Sequence, residues 1–232
     1  MGRSSGLNLV GMGIDPDATW DPLPRGPHKL SRDEVQSSQR GRLCFAAIDS
    51  VAELGYAATT VSDIVSRAKV ARRTFYQFFS GKEECFAAGF DVAVKIVDAQ
   101  LDAAIGAAQP TGFRHLVRLS LEAYLAILAA EPAAARALHV ETNGAGSALM
   151  DHRARVQEVF AHRMSAAHRL ARDQGELTTE PSPGVFDFLI GGIDDRIRFC
   201  IHRDGPQALP GLAPLLIEAT LALFMADGPP AD

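Results

Sequence analysis

Cysteine is scarce in this 232-residue chain: Cys44, Cys85 and Cys200 lie far apart and form no Cys-x-x-Cys pair. An odd, dispersed set of thiols is a poor disulfide framework and a poor zinc site. It reads instead as three reduced, mostly buried side chains of a cytoplasmic protein. Long hydrophobic runs are missing too; no stretch of about 18 uninterrupted apolar residues occurs, so no membrane span is expected. The start, Met1-Gly2-Arg3-Ser4-Ser5-Gly6, leads into a weakly apolar stretch broken by Gly11, Gly13 and Asp15. A secretory signal needs a continuous apolar core that this segment lacks. Lysine is rare beside arginine, 4 against 19, which says nothing about function. What is present, 47% hydrophobic and 22% charged residues, suits folded domains with real cores rather than a disordered chain.

Residues 1–30 hold Pro16, Pro22, Pro24 and Pro27 without apolar periodicity, and read as a flexible tail or an over-long start. Order is expected from Ser31, which is spaced from Glu34 as a capping box. The first helix carries Cys44, Ala47, Ile48 and Val51 at i, i+3, i+4, i+7 and stops at Gly55. Thr60 can cap a short second helix with Val61, Ile64, Val65 and Ala68 inward. A break at Lys69-Val70 precedes a third helix, Ala71 to Phe79. Ser80 and Glu83 are spaced as another capping box, opening a fourth helix from Lys82 to Ala108.

The remainder repeats the helical period. Further helices are expected over Phe113–Ala130, Ala133–Val140 and Met150–Ala171, the last closed by Gly175. Another runs through Phe188 to about His202, and a last one covers Leu212–Met225, apolar nearly all round. No strand run interrupts them. The fold class is all-α with about nine helices: a helix-turn-helix domain over 31–80 and a larger helical domain over 81–232.

Charge is unevenly distributed. The net −5 argues at first against a nucleic-acid partner. Yet Arg25 to Lys82 holds ten basic and five acidic residues, whereas Glu83 onward holds twelve basic and twenty acidic. A basic head precedes an acidic body, and the head alone can attract phosphates.

In the third helix, Phe75 and Phe79 can anchor one face, which turns Arg72, Arg73, Tyr76 and Gln77 outward. Long hydrogen-bonding side chains on a presented helix suit the major groove, where Arg pairs with guanine and Gln with adenine. A solvated charged surface is the plain alternative. Thr60 and Ser62 begin the preceding helix, whose free N–H groups favour a phosphate oxygen, and Lys82 can reach the next phosphate.

The run Thr59-Thr60-Val61-Ser62-Asp63-Ile64-Val65, then Ala68 through Glu84, with Gly55-Tyr56 before it, closely resembles the DNA-binding signature of tetracycline-repressor-like (TetR family) regulators. The likeness covers about Arg40 to Phe90. Lys69 stands where the family usually has Gly in the turn, and Ala71 where it has Ser or Thr. The resemblance implies that Arg72, Arg73 and Thr74 approach bases, with Gln77 a further candidate. It places Tyr76, Thr60, Ser62 and Lys82 at phosphates of a double-stranded operator. Arg25, Lys29 and Arg32 form either an additional arm or a solubilising tail.

By the same resemblance, the C-terminal helices enclose a small-molecule effector and the last two form a homodimer. Phe188, Gly192, Leu216, Ala219 and Leu223 are the expected dimer residues, although part of that surface can be buried within one chain. Ligand-binding residues are left unassigned. Histidines at 115, 139, 152, 162, 168 and 202 form no metal-ligand spacing, and no nucleophile–base constellation or cofactor fingerprint appears. The expected function is a ligand-released repressor, or an activator or ligand-independent regulator; a metal, a cofactor and enzymatic activity are not expected.

Overall fold

The computed structural model describes residues 32–144, 146–182 and 184–225, and among them every regular element is helical. The nine α-helices are α1 (Arg32–Leu54), α2 (Val61–Ala68), α3 (Arg72–Phe78), α4 (Lys82–Ala108), α5 (Phe113–Ala130), α6 (Pro132–His139), α7 (Ser147–Asp173), α8 (Val185–Asp204) and α9 (Ala213–Met225). Short 3-10 segments, Glu141–Gly144 and Pro206–Leu212, follow α6 and α8. The expected cap at Ser31 and the tail of residues 1–30 lie outside the described residues.

Among the described residues two compact units emerge: 32–99 with 133–150, and 100–132 with 151–225. The division therefore falls inside α4. In the first unit, α1, α2, α3 and the start of α4 surround Leu43, Ala47, Ile64, Phe75, Phe79 and Cys85. The predicted stripe of α1 is inward, since Cys44, Ala47, Ile48 and Val51 are all buried. Helix α4 approaches α1 closely at Gly89, where a Cβ would stand 2.6 Å from the Cys44 carbonyl oxygen. Any side chain there would push the two helices apart. All three thiols are buried, and burial raises the pKa of each, Cys44 to about 11.

Helix ends follow local chemistry. Gly55, at φ +82°, takes the left-handed residue after α1, and its carbonyl accepts the Thr59 hydroxyl at 2.8 Å. The start of α4 differs from expectation: Ser80 donates through both its N–H and its hydroxyl to Glu84, each at 2.8 Å, not to Glu83. Those bonds hold the Glu84 carboxyl below its ordinary pKa. Glu83 instead accepts the Tyr56 hydroxyl at 3.4 Å.

In the second unit, α5 packs against α9 and the 3-10 segment through Phe113, Val117, Leu121, Leu125 and Leu128. Gly112 offers α5 no capping side chain, so Glu176 supplies one, accepting the Phe113 N–H at 2.7 Å. Phe113, Phe186 and Phe224 enclose the His168 ring. Among the described residues one segment, Pro206–Met225, is by length and composition long and apolar enough to cross a membrane, at mean hydropathy 1.7. Its α-helical part, however, has only 13 residues, or about 20 Å of rise against a hydrocarbon core of about 30 Å. Five of those residues, Phe224 among them, are buried in the unit itself.

Candidate nucleic-acid interface

The candidate surface is built from α2, the turn at Lys69-Val70, and α3. Helix α2 opens on a complete capping box: Thr60 Oγ1 accepts the Asp63 N–H at 3.3 Å while Asp63 accepts the Thr60 N–H at 2.8 Å. The Thr60 hydroxyl also donates to the Asp63 carboxylate at 2.6 Å. These bonds hold the Asp63 carboxyl below its ordinary pKa. Thr60 is thereby occupied as a cap, whereas the first N–H groups of a helix have no intrahelical partner and point outward.

Lys69 ends α2 at φ 52°, ψ 43°, so the turn keeps the left-handed form without glycine. Its N–H bonds to the Ser66 carbonyl, and the Val70 N–H to the Val65 carbonyl at 3.1 Å. Ala71 has the extended backbone of a capping position but no side chain able to cap. The turn thus survives both departures from the family pattern at a local energetic cost.

Helix α3 is fixed by Phe75, fully buried, and Phe79, whose rings lie 5.7 Å apart. Because 3.6 residues make a turn, anchoring 75 and 79 sends 73 and 77 to the opposite side and 76 to the flank, while Arg72 leaves from the first turn of α3. Arg72, Arg73, Tyr76 and Gln77 are exposed, and Thr74 is half-buried. The structure draws three of the candidates together: Arg72 donates to Ser62 Oγ at 3.0 Å and to the Tyr76 hydroxyl at 3.3 Å. Its guanidinium also sits over the Tyr76 ring. Arg73 and Gln77 stand beside this group on the outward face.

Lys82 is placed differently from the phosphate-reaching lysine of the sequence reading. Its Nζ donates to the carbonyls of Tyr56 and Thr59, each at 2.9 Å, and lies over the Tyr56 ring. In this conformation it closes the loop before α2. Burial, aided by Glu83, raises the Tyr56 phenol pKa. Arg40, not singled out in the sequence, lies exposed with its guanidinium 5.4 Å from the Phe79 ring centre. Nothing in local spacing links positions 40 and 79.

Of the expected dimer residues, Phe188 is 73% exposed and Leu223 41%, and Gly192 and Ala219 are also exposed. Leu216 is 4% exposed and packs into the core of its own unit. The outward faces of α8 and α9 add Phe199 and Leu215. Among the described residues no group of three metal-ligating side chains comes together.

Residues 45–88 match the family model described as bacterial regulatory proteins, tetR family. No curated protein sequence matches the chain. Among solved structures, the fold is similar to the fatty acid degradation regulator FadR from Bacillus halodurans, at TM-score 0.69 and 18% identity over 84% of this chain and 97% of that one. It is also similar to FadR from Bacillus subtilis in complex with stearoyl-CoA, at TM-score 0.66 and 18% identity over 78% and 96%. A TetR transcription regulator from Haloarcula marismortui aligns at TM-score 0.66 and 18% identity over 81% and 99%.

Proposed function

The chain is a DNA-binding transcriptional regulator of the tetR family, and from that premise we propose that it acts in the cytoplasm as a homodimeric repressor released from its operator by a small molecule. One observation carries the DNA-reading part: Arg72, Arg73 and Gln77 form an exposed polar row on a helix pinned by Phe75 and Phe79. Arg73 and Gln77 read base edges, Arg72 and Thr74 lie beside them, and Tyr76 and Ser62 meet phosphates. Thr60 caps α2, and Lys82 shapes the loop before it. The exposed apolar residues of α8 and α9 pair two chains, so that two copies of α3 address half-sites about one DNA turn apart.

The effector is a molecule with a long apolar body. The Bacillus subtilis neighbour in complex with stearoyl-CoA supports this reading. Release requires different effector affinities in the DNA-competent and incompetent states. The test is selection of bound genomic fragments by the purified protein, with and without acyl-CoA thioesters. A recurring palindromic site, lost on thioester addition and bound by a dimer in sedimentation, is the expected result. Salt-insensitive or sequence-blind binding would remove the proposal.

A further inference from the structure

Lys69 turns the chain between α2 and α3 in a conformation that lysine rarely adopts. Its backbone sits at φ 52°, ψ 43°, the left-handed region that a Cβ disfavours. Elsewhere among the described residues positive φ falls to glycine, except at Gln109 just past α4. The turn is not free to relax. The Lys69 N–H bonds to the Ser66 carbonyl at 3.3 Å and the Val70 N–H to the Val65 carbonyl at 3.1 Å, while Val70 is buried in the core of the first unit. Those bonds and that side chain impose the left-handed step on whatever residue occupies position 69. Glycine or asparagine takes it more easily, so the lysine is held there against local preference. A strained residue beside a binding surface points to function.

What the side chain brings is a positive charge that the fold does not use. Other cations of the first unit are committed: Arg67 pairs with Glu53, Arg136 with Glu141, and Lys82 bonds loop carbonyls. The acidic residue nearest in sequence, Asp63, is engaged by Thr60. Lys69 is exposed, and its ammonium takes no hydrogen bond or ion pair among the described residues. A cation here also faces the negative end of the α2 dipole, but Arg67 in the last turn already supplies one. The turn borders the surface from which Arg73 and Gln77 project, and Arg72, just after it, reaches across to Ser62 at the start of α2.

We propose that Lys69 is a further DNA-contacting residue: its ammonium neutralises a backbone phosphate beside the groove that α3 enters, and strengthens binding without reading sequence. This rests on the DNA-binding reading above and adds a contact at a position where glycine would suit the turn better. Removing one phosphate contact leaves one counterion fewer to release. The slope of log affinity against log salt therefore becomes shallower by about 0.9 for each bound chain, and affinity at about 0.1 M salt falls roughly five- to tenfold.

The experiment titrates the full chain by fluorescence anisotropy against a labelled duplex of random sequence and against the selected operator, from about 50 to 300 mM salt. Lys69→Asn tolerates the left-handed step and removes the charge. It is expected to show the shallower slope on both duplexes, with the ratio of their affinities unchanged. Lys69→Gly gives the same readout if the asparagine variant folds poorly, and Lys69→Arg is expected to keep the wild-type slope. Lys95→Gln removes an exposed charge about 20 Å along α4 and is expected to leave the slope unchanged. A Lys69→Asn slope equal to wild type would overturn the contact alone, even with a lowered melting temperature, which is the outcome of a helix-dipole role. An equal loss in Lys95→Gln or in Lys69→Arg, or a loss confined to the operator, would overturn it as well. Absence of salt-dependent binding of either duplex by the wild-type chain would overturn the DNA-binding reading beneath it.

Discussion

The Glu141 carboxylate accepts the backbone N–H of Tyr56 at 3.0 Å, so the turn after α6 holds the loop that leads into α2. Arg136 stands behind the same carboxylate at 3.5 Å. The loop is clamped from its other side by Lys82, whose ammonium gathers the carbonyls of Tyr56 and Thr59. Position and orientation of α2 therefore depend on a residue 85 places along the chain. Glu141→Ala leaves the Tyr56 N–H without its acceptor, a loss of about 1–3 kcal/mol where water does not replace it. Faster amide exchange at Tyr56 and a lower melting temperature are expected, with most of the loss recovered in Glu141→Gln. Exchange rates measured residue by residue check this.

The turn between α2 and α3 holds two local costs that substitution can remove. Lys69 sits in the left-handed region, which glycine occupies without the Cβ penalty. Lys69→Gly is expected to raise stability by about 0.5–1 kcal/mol, the conformational gain exceeding the added unfolded-state entropy. Ala71→Ser supplies the absent cap of α3, worth about 1 kcal/mol. Chemical denaturation of the two variants and their combination measures both. No gain from either would contradict the strain assigned to the turn.

Arg72 and Arg73 are adjacent, yet the structure separates their roles. Arg72 is tied to Ser62 and Tyr76, whereas Arg73 stands on the outward face of α3. Arg73→Ala is expected to cost about 1–3 kcal/mol of binding to the selected operator and to relax preference at one base pair. Ser62→Ala frees the Arg72 guanidinium and is expected to cost no more than about 1 kcal/mol, spread evenly over sequences. Competition binding against scrambled DNA separates the two outcomes. Equal discrimination by Arg73→Ala and wild type would refute base reading by Arg73.

His168 couples the second unit to pH. It is 2% exposed among Phe113, Phe186 and Phe224, and its Nε2 has no hydrogen-bond partner among the described residues. Burial, with Arg172 adding to it, lowers its pKa from the ordinary 6.5. The unfolded chain therefore takes up a proton first as pH falls below 6.5. The stabilisation is complete above that pH and is lost as pH falls through the lower, folded-state pKa. His168→Phe, which completes an aromatic cluster, is expected to keep neutral-pH stability and flatten this acid limb. Melting temperatures between pH 4 and pH 8, roughly spanning the titration of histidine, provide the check.

Much of the helical plan can be read locally. Gly55 and Gly205 adopt positive φ at the ends of α1 and α8, and α4 ends within two residues of Pro110. Such signals work because capping and φ preferences act over a few residues. The outward row of α3 is legible for the same reason, once Phe75 and Phe79 are taken as anchors. Local spacing misleads where two equivalent residues compete: Ser80 selects Glu84, and Glu83 turns to Tyr56. The periodicity of α9 gives no direction either, since it is apolar on nearly every side. Contact with α5 decides that Leu216 faces inward and Leu223 outward.

By itself the sequence determined an all-helical chain, a basic head within an acidic whole, and a short helix with Arg73 and Gln77 opposite its phenylalanines. Those follow from residue type and from periods of three and four, which need no distant partner. Only the tertiary structure decided which groups remain available. It committed Thr60 to Asp63 and Lys82 to loop carbonyls, tied Tyr56 to Glu141, and gathered Arg153, Asp194 and Arg198 beside Tyr124. The physical reason is that a hydrogen-bonding or charged side chain has several possible partners of similar strength. Packing of buried apolar faces chooses among them by bringing one within about 3 Å.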